Sequence, residues 1–70
     1  MHRYPVRSSA LRTVGYDFET STLEVEFASG GVYDYEDVPP EEALQLLEAD
    51  SLGRYLAEHI RGAYHSRRAA

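Results

Sequence analysis

Seventy residues make one small domain, near the lower limit for a self-sufficient core, and the absence of cysteine excludes disulfide staples and thiolate metal sites. No run approaches the ~20 apolar residues of a membrane span and no signal-peptide pattern opens the chain, so a soluble cytoplasmic protein is expected. The net charge of −5 is segregated into a segment 1–12 at +3, a segment 13–53 at −11 with no base, and a segment 54–70 at +3. All seven basic residues are arginine.

Residues Met1 to Arg7 form a polar arm with Pro5 and no periodicity. Ser8 to Asp17 reads as a first strand, whose Val14 and Tyr16 share a face if they pair with Val25 and Leu23. Leu11 lies three residues before Val14, out of step with strict alternation, which predicts a bulge between them. Thr22 to Phe27 alternates with period two, Leu23, Val25 and Phe27 on one face against Glu24 and Glu26 on the other. Tyr33 and Tyr35 alternate with Val32, Asp34 and Glu36 in a third strand. A three-residue loop Ser29-Gly30-Gly31 pairs Phe27 with Tyr33 and Val25 with Tyr35, keeping apolar residues on one face. The same pairing sets Glu26 against Asp34 and Glu24 against Glu36. Opposed like charges destabilise mildly, so either solvent screens them or an arginine from elsewhere leans across.

Pro39-Pro40 ends the sheet because neither residue donates a ladder hydrogen bond. Pro40 suits the first turn of a helix, with Glu41 and Glu42 at the positive end of its dipole. That helix runs to about Ala49 and is expected to bury Ala43, Leu44 and Leu47. Asp50 or Ser51 caps a second helix from about Leu52 to Tyr64, with Leu52, Tyr55, Leu56, His59, Ile60 and Ala63 as its apolar stripe. Ser66 to Ala70 reads as a frayed basic tail. The expected fold is a single α+β domain over residues 1–70: a three-stranded antiparallel meander, its apolar face covered by two C-terminal helices, with an arm at about 1–7 and a tail at about 65–70.

The ordered set Ser-Ser, Val-Gly-Tyr-Asp, Leu-Glu-Val-Glu-Phe, Gly-Gly-Val-Tyr-Asp-Tyr, Asp-Val-Pro, Ala-Asp-Ser-Leu-Gly-Arg-Tyr-Leu and Ile-Arg-Gly-Ala-Tyr resembles the KTSC domain over about residues 7–64. That family takes its name from the C-terminus of some lysyl-tRNA synthetases and also occurs as free-standing small proteins. The resemblance implies no enzymatic activity and suggests RNA or other nucleic-acid binding, with tRNA-like RNA favoured by the synthetase association.

Candidate residues follow from charge and aromaticity. Arg54 and Arg61 lie seven apart on one helix face, and Arg67 and Arg68 continue beyond it. With Arg12 and the other N-terminal arginines they form a candidate phosphate-gripping patch, to which Tyr64 adds stacking. Tyr33 and Tyr35 are either a stacking platform for unpaired bases or, as their alternation favours, part of the core. His59 falls among the apolar stripe positions and is expected to be a packed or boundary histidine. No cysteine nucleophile, phosphate-loop glycine motif or zinc-spaced histidine pair is present, so a non-enzymatic module without metal or cofactor is expected. The alternative is a protein-interaction module, including self-association, that uses the acidic sheet face or an edge strand.

Overall fold

The computed structural model describes residues 1–70. Its elements run β1 (Tyr4–Pro5), β2 (Leu11–Asp17), β3 (Thr22–Phe27), β4 (Val32–Tyr35), α1 (Pro40–Glu48), α2 (Leu52–Tyr55), a π turn (Leu56–Ile60) and β5 (Ser66–Arg68). The sheet is antiparallel throughout, with five strands in the order β1-β2-β3-β4-β5. The expected meander is therefore its centre, and both termini extend it. The N-terminal arm pairs Tyr4 with Val14. The tail, read from sequence as frayed, pairs Tyr33 with Arg68 and Asp34 with Arg67.

The β2–β3 register is the expected one, Val14 against Val25 and Tyr16 against Leu23, and it slips between Leu11 and Thr13 where the bulge was predicted. The β3–β4 register differs from expectation by two residues: Val25 faces Tyr33, Leu23 faces Tyr35 and Glu24 faces Asp34. The cause is the turn. Gly30 holds φ +106° and donates to the Phe27 carbonyl, while Phe27 donates to Gly31. The loop is thus Ala28-Ser29-Gly30, ending on the left-handed residue that such loops require. A shift of two preserves which side chains share a face, so the core assignment survives the correction.

Helix-side residues Leu23, Val25 and Tyr35 meet Leu46, Leu56 and Ile60 in one buried cluster. Ser51 Oγ accepts from the Arg54 amide and caps α2 as expected. The second helix departs from regularity after Tyr55, where Arg61 N–H reaches back to the Leu56 carbonyl in a π turn. Leu52, Leu56 and Ile60 are buried, whereas His59 and Ala63 are exposed, contrary to the expected stripe. His59 lies instead beside the Tyr55 ring at a centroid distance of 4.4 Å.

Helix α1 is rotated relative to its expected orientation. It buries Ala43 and Leu46, and leaves Leu44 and Leu47 half exposed. Glu42 fixes that rotation: its carboxylate accepts from the hydroxyls of both Tyr55 and Tyr64. The face bearing Glu42, Leu46 and Ala43 must then point inward, which carries Leu44 and Leu47 to the other side. The bond to Glu42 pushes the Tyr55 phenol up to about 12, and burial followed by the same carboxylate raises Tyr64.

Candidate functional site

Strand alternation divides the basic tail between two surfaces. Arg67 and Arg68 are neighbours in sequence, so their side chains leave β5 on opposite faces. Arg68 shares the face of Tyr33, and its guanidinium carbon lies 5.7 Å from that ring. From the end of the π turn Arg61 reaches toward the same place, 6.0 Å above the Phe27 ring. Phe27 and Tyr33 meet edge to face at 5.6 Å. Together with Tyr35, Ser29 and Ser66, Phe27, Tyr33 and Arg61 line a cleft of about 470 Å³.

Local rules explain why these groups converge. The Ala28-Ser29-Gly30 turn carries Phe27 and Tyr33 to the end of the sheet, where both are only partly buried, while Tyr35, one step inward, is 4 % exposed. Burial raises the Tyr35 phenol above its ordinary value, and the nearby Arg61 guanidinium opposes that rise. No Asp or Glu side chain lies within ion-pair distance of Arg61 or Arg68, and Arg68 Nε donates to the Ala70 oxygen at 3.2 Å. Two guanidinium groups with no acidic side chain of their own, each beside an aromatic face, offer stacking and anion contacts.

The other candidate residues are placed apart from this cleft. Arg67 bridges Asp34 at 3.4 Å and Glu36 at 3.6 Å on the outer sheet face. Arg12 lies 3.9 Å from Glu26, whose other oxygen accepts from Thr13. Arg54 lines a separate concavity with Asp50, Glu58 and His59, apart from the cleft that Arg61 lines. Tyr64 is held on Glu42. The structure therefore brings Arg61, Arg68, Tyr33 and Tyr35 together, and leaves Arg12, Arg54, Tyr64 and Arg67 elsewhere. Sequence reasoning placed Phe27 only in the core and passed over Ser29 and Ser66. The signal for Phe27 was present: it sits on the tyrosine face at the end of its strand.

On the outer face the question of the opposed acids is answered by arginine. Arg3 Nε lies 3.5 Å from Glu24, which faces Asp34 across the strands. Burial first, then the neighbouring Asp34 carboxyl, raises the Glu24 carboxyl above its usual range, and Arg3 partly counteracts them. Arg3 gets there because the arm crosses Gly15, where an added Cβ would stand 2.5 Å from the His2 carbonyl oxygen. No group of three or more histidine or acidic side chains is placed to hold a metal ion.

The KTSC domain family model matches residues 7–64. The chain belongs to the KTSC domain family. A KTSC domain protein from Yersinia pestis, solved as a crystal structure, superposes with a TM-score of 0.95 at 33% identity, covering 99% of this chain and 97% of that one. An uncharacterised protein of Stutzerimonas stutzeri is 60% identical over 55 residues, 79% of this chain and 78% of its own length. A lysine–tRNA ligase of Nostoc punctiforme is 38% identical over 56 residues, which are 80% of this chain and only 10% of the ligase. The KTSC unit thus occurs both in short chains and within a much larger enzyme. No helix of this KTSC domain is long and apolar enough to cross a membrane.

Proposed function

We propose that this KTSC domain is a small non-enzymatic module that binds RNA through the cleft between Arg61, Arg68, Phe27 and Tyr33. The observation that carries the reading is that Arg61, with no Asp or Glu partner, lines one concave site with the partly exposed rings of Phe27 and Tyr33, while Arg68 lies over the Tyr33 ring. Unpaired nucleotides offer the complementary features, a flat base for the rings and a phosphate for the arginines. Similarity to part of a lysine–tRNA ligase makes tRNA the first RNA to try. Contacts of this kind are mostly to phosphate and base faces, so sequence discrimination is expected to be low and salt sensitivity high.

The protein-interaction alternative loses ground on the acidic sheet face. Its acids Glu24, Glu26, Asp34 and Glu36 each lie within ion-pair distance of Arg3, Arg12 or Arg67, leaving less free charge for a basic partner.

An amide NMR titration with tRNA, at low and then moderate salt, tests the RNA reading. Salt-sensitive shifts are expected at Phe27, Tyr33, Arg61, Ser66 and Arg68. Tyr33→Leu keeps an apolar side chain and removes the ring, and should weaken binding by about 1–3 kcal/mol. No localised shifts at low salt, or shifts unaffected by Arg61→Ala with Arg68→Ala, would overturn the reading.

A further inference from the structure

A second concave surface lies away from the cleft and shares only the sheet with it. Tyr4, Phe18, Leu44 and Leu47 are four of the five large hydrophobic side chains the protein exposes, and all four line one groove of about 240 Å³. Its floor is the edge of the core, Val14, Leu23 and Ala43. Phe18 is 76 % exposed, yet it is not loose: its ring meets Tyr16 edge to face at 4.9 Å, and the Tyr16 hydroxyl is tied to the Val38 carbonyl. A ring held upright in solvent is already ordered, so contact with a partner costs it little further freedom.

Charge identifies the partner. The walls of the groove are α1 and the turn between β2 and β3, and the whole segment from residue 13 to residue 53 contains no base. Glu41 and Glu48 are exposed and seven residues apart on α1, which sets both beside Leu44 on the helix surface. Glu19 is exposed next to Phe18. The third wall, at Tyr4, adds no free cation from its neighbour, because Arg3 is engaged with Glu24. An apolar strip edged with carboxylates repels its own copy and complements apolar residues flanked by Lys or Arg.

We infer that this groove docks a basic amphipathic helix of another protein, with apolar side chains at i, i+3 or i+4 and i+7 seated among Phe18, Leu44 and Leu47. The inference is independent of the RNA reading, since the two surfaces have no residue in common.

The test uses a synthetic amphipathic peptide of leucine and lysine, about four helical turns long, and a matched leucine–glutamate peptide. The lysine peptide is expected to shift the amides of Phe18, Leu44 and Leu47 and to leave Tyr33 and Arg61 unmoved. Leu44→Ser with Leu47→Ser should weaken it at least about tenfold, as expected for central apolar anchors. Both leucines are half exposed, so an unchanged amide spectrum elsewhere will show that this variant folds. Glu41→Lys with Glu48→Lys should weaken the lysine peptide and admit the glutamate one. Three results would overturn the inference: no binding, binding that the leucine variant leaves unchanged, or a dimer in light scattering that the leucine variant dissolves. The second would mark simple attraction between opposite charges, and the third would give the groove to a second copy.

Discussion

Arg67 and Arg68 are adjacent, yet one faces carboxylates and the other an aromatic ring. On the outer face Arg67, with Arg3 and Arg12, offsets a row of acids that strand pairing forces together. On the other face Arg61 and Arg68 have no acidic side chain within ion-pair distance. The same side chain is structural in the first setting and available for a ligand in the second. Counting arginines therefore does not separate those paired with carboxylates from those that are not, and within β5 the strand alternation makes that division.

The largest effect expected from disturbing this division is on the outer face. Arg67→Ala leaves Asp34, 7 % exposed, without its cation, and should cost about 2 kcal/mol in urea unfolding while RNA affinity stays the same. Gly15→Ala drives a methyl group into the His2 backbone, which must move away. A loss of about 1–2 kcal/mol is expected, with the amides of Arg3 and Glu24 shifting together as the arm lifts. At the cleft the pattern inverts. Arg61→Ala should change stability by no more than ~0.5 kcal/mol. It should also lower the slope of log affinity against log salt by about 0.7 for each single-strand phosphate that Arg61 neutralises. Equal losses of stability from Arg61→Ala and Arg67→Ala would erase the distinction.

The smallest effect is on pH dependence. The folded state favours the neutral form of Glu24, so the stability linked to that proton is fully present below 4.5 and is lost as pH rises through the raised folded value. Glu24→Gln holds the side chain neutral and should flatten that part of the stability curve, measured by urea unfolding at stepped pH.

The sequence carried the centre of the fold more clearly than its margins. Alternation in Thr22–Phe27 and the three-residue step from Leu11 to Val14 suffice to place the β2–β3 register and its bulge. Two consecutive glycines leave open which one adopts the left-handed turn, and that choice moved the β3–β4 register by two. In α1, Ala43 and Leu46 compete with Ala43, Leu44 and Leu47 as the inward stripe. The tyrosine bonds to Glu42 settle the matter, and they join residues distant in sequence. The terminal strands are two and three residues long and show no apolar period, because pairing and ion pairs with the central strands make them strands at all. For the candidate site, aromatic and basic residues were visible, but their sorting into two faces required β5, which local sequence does not announce.

Strand β5 also has a consequence for the order in which the molecule comes apart. Four residues separate the strands of each central hairpin, whereas β5 returns to β4 only after the thirty residues from Glu36 to His65. Strand β5 itself is a three-residue edge with no buried side chain, held to β4 by its ladder and by the Arg67 ion pairs. Sub-global opening should therefore begin there, with the amides of β5 exchanging faster than those of β2 and β3. Since Ser66 lines the cleft and Arg68 lies over Tyr33, one side of the cleft rests on an edge strand with no buried side chain, and a ligand that grips Arg68 would slow exchange along that edge.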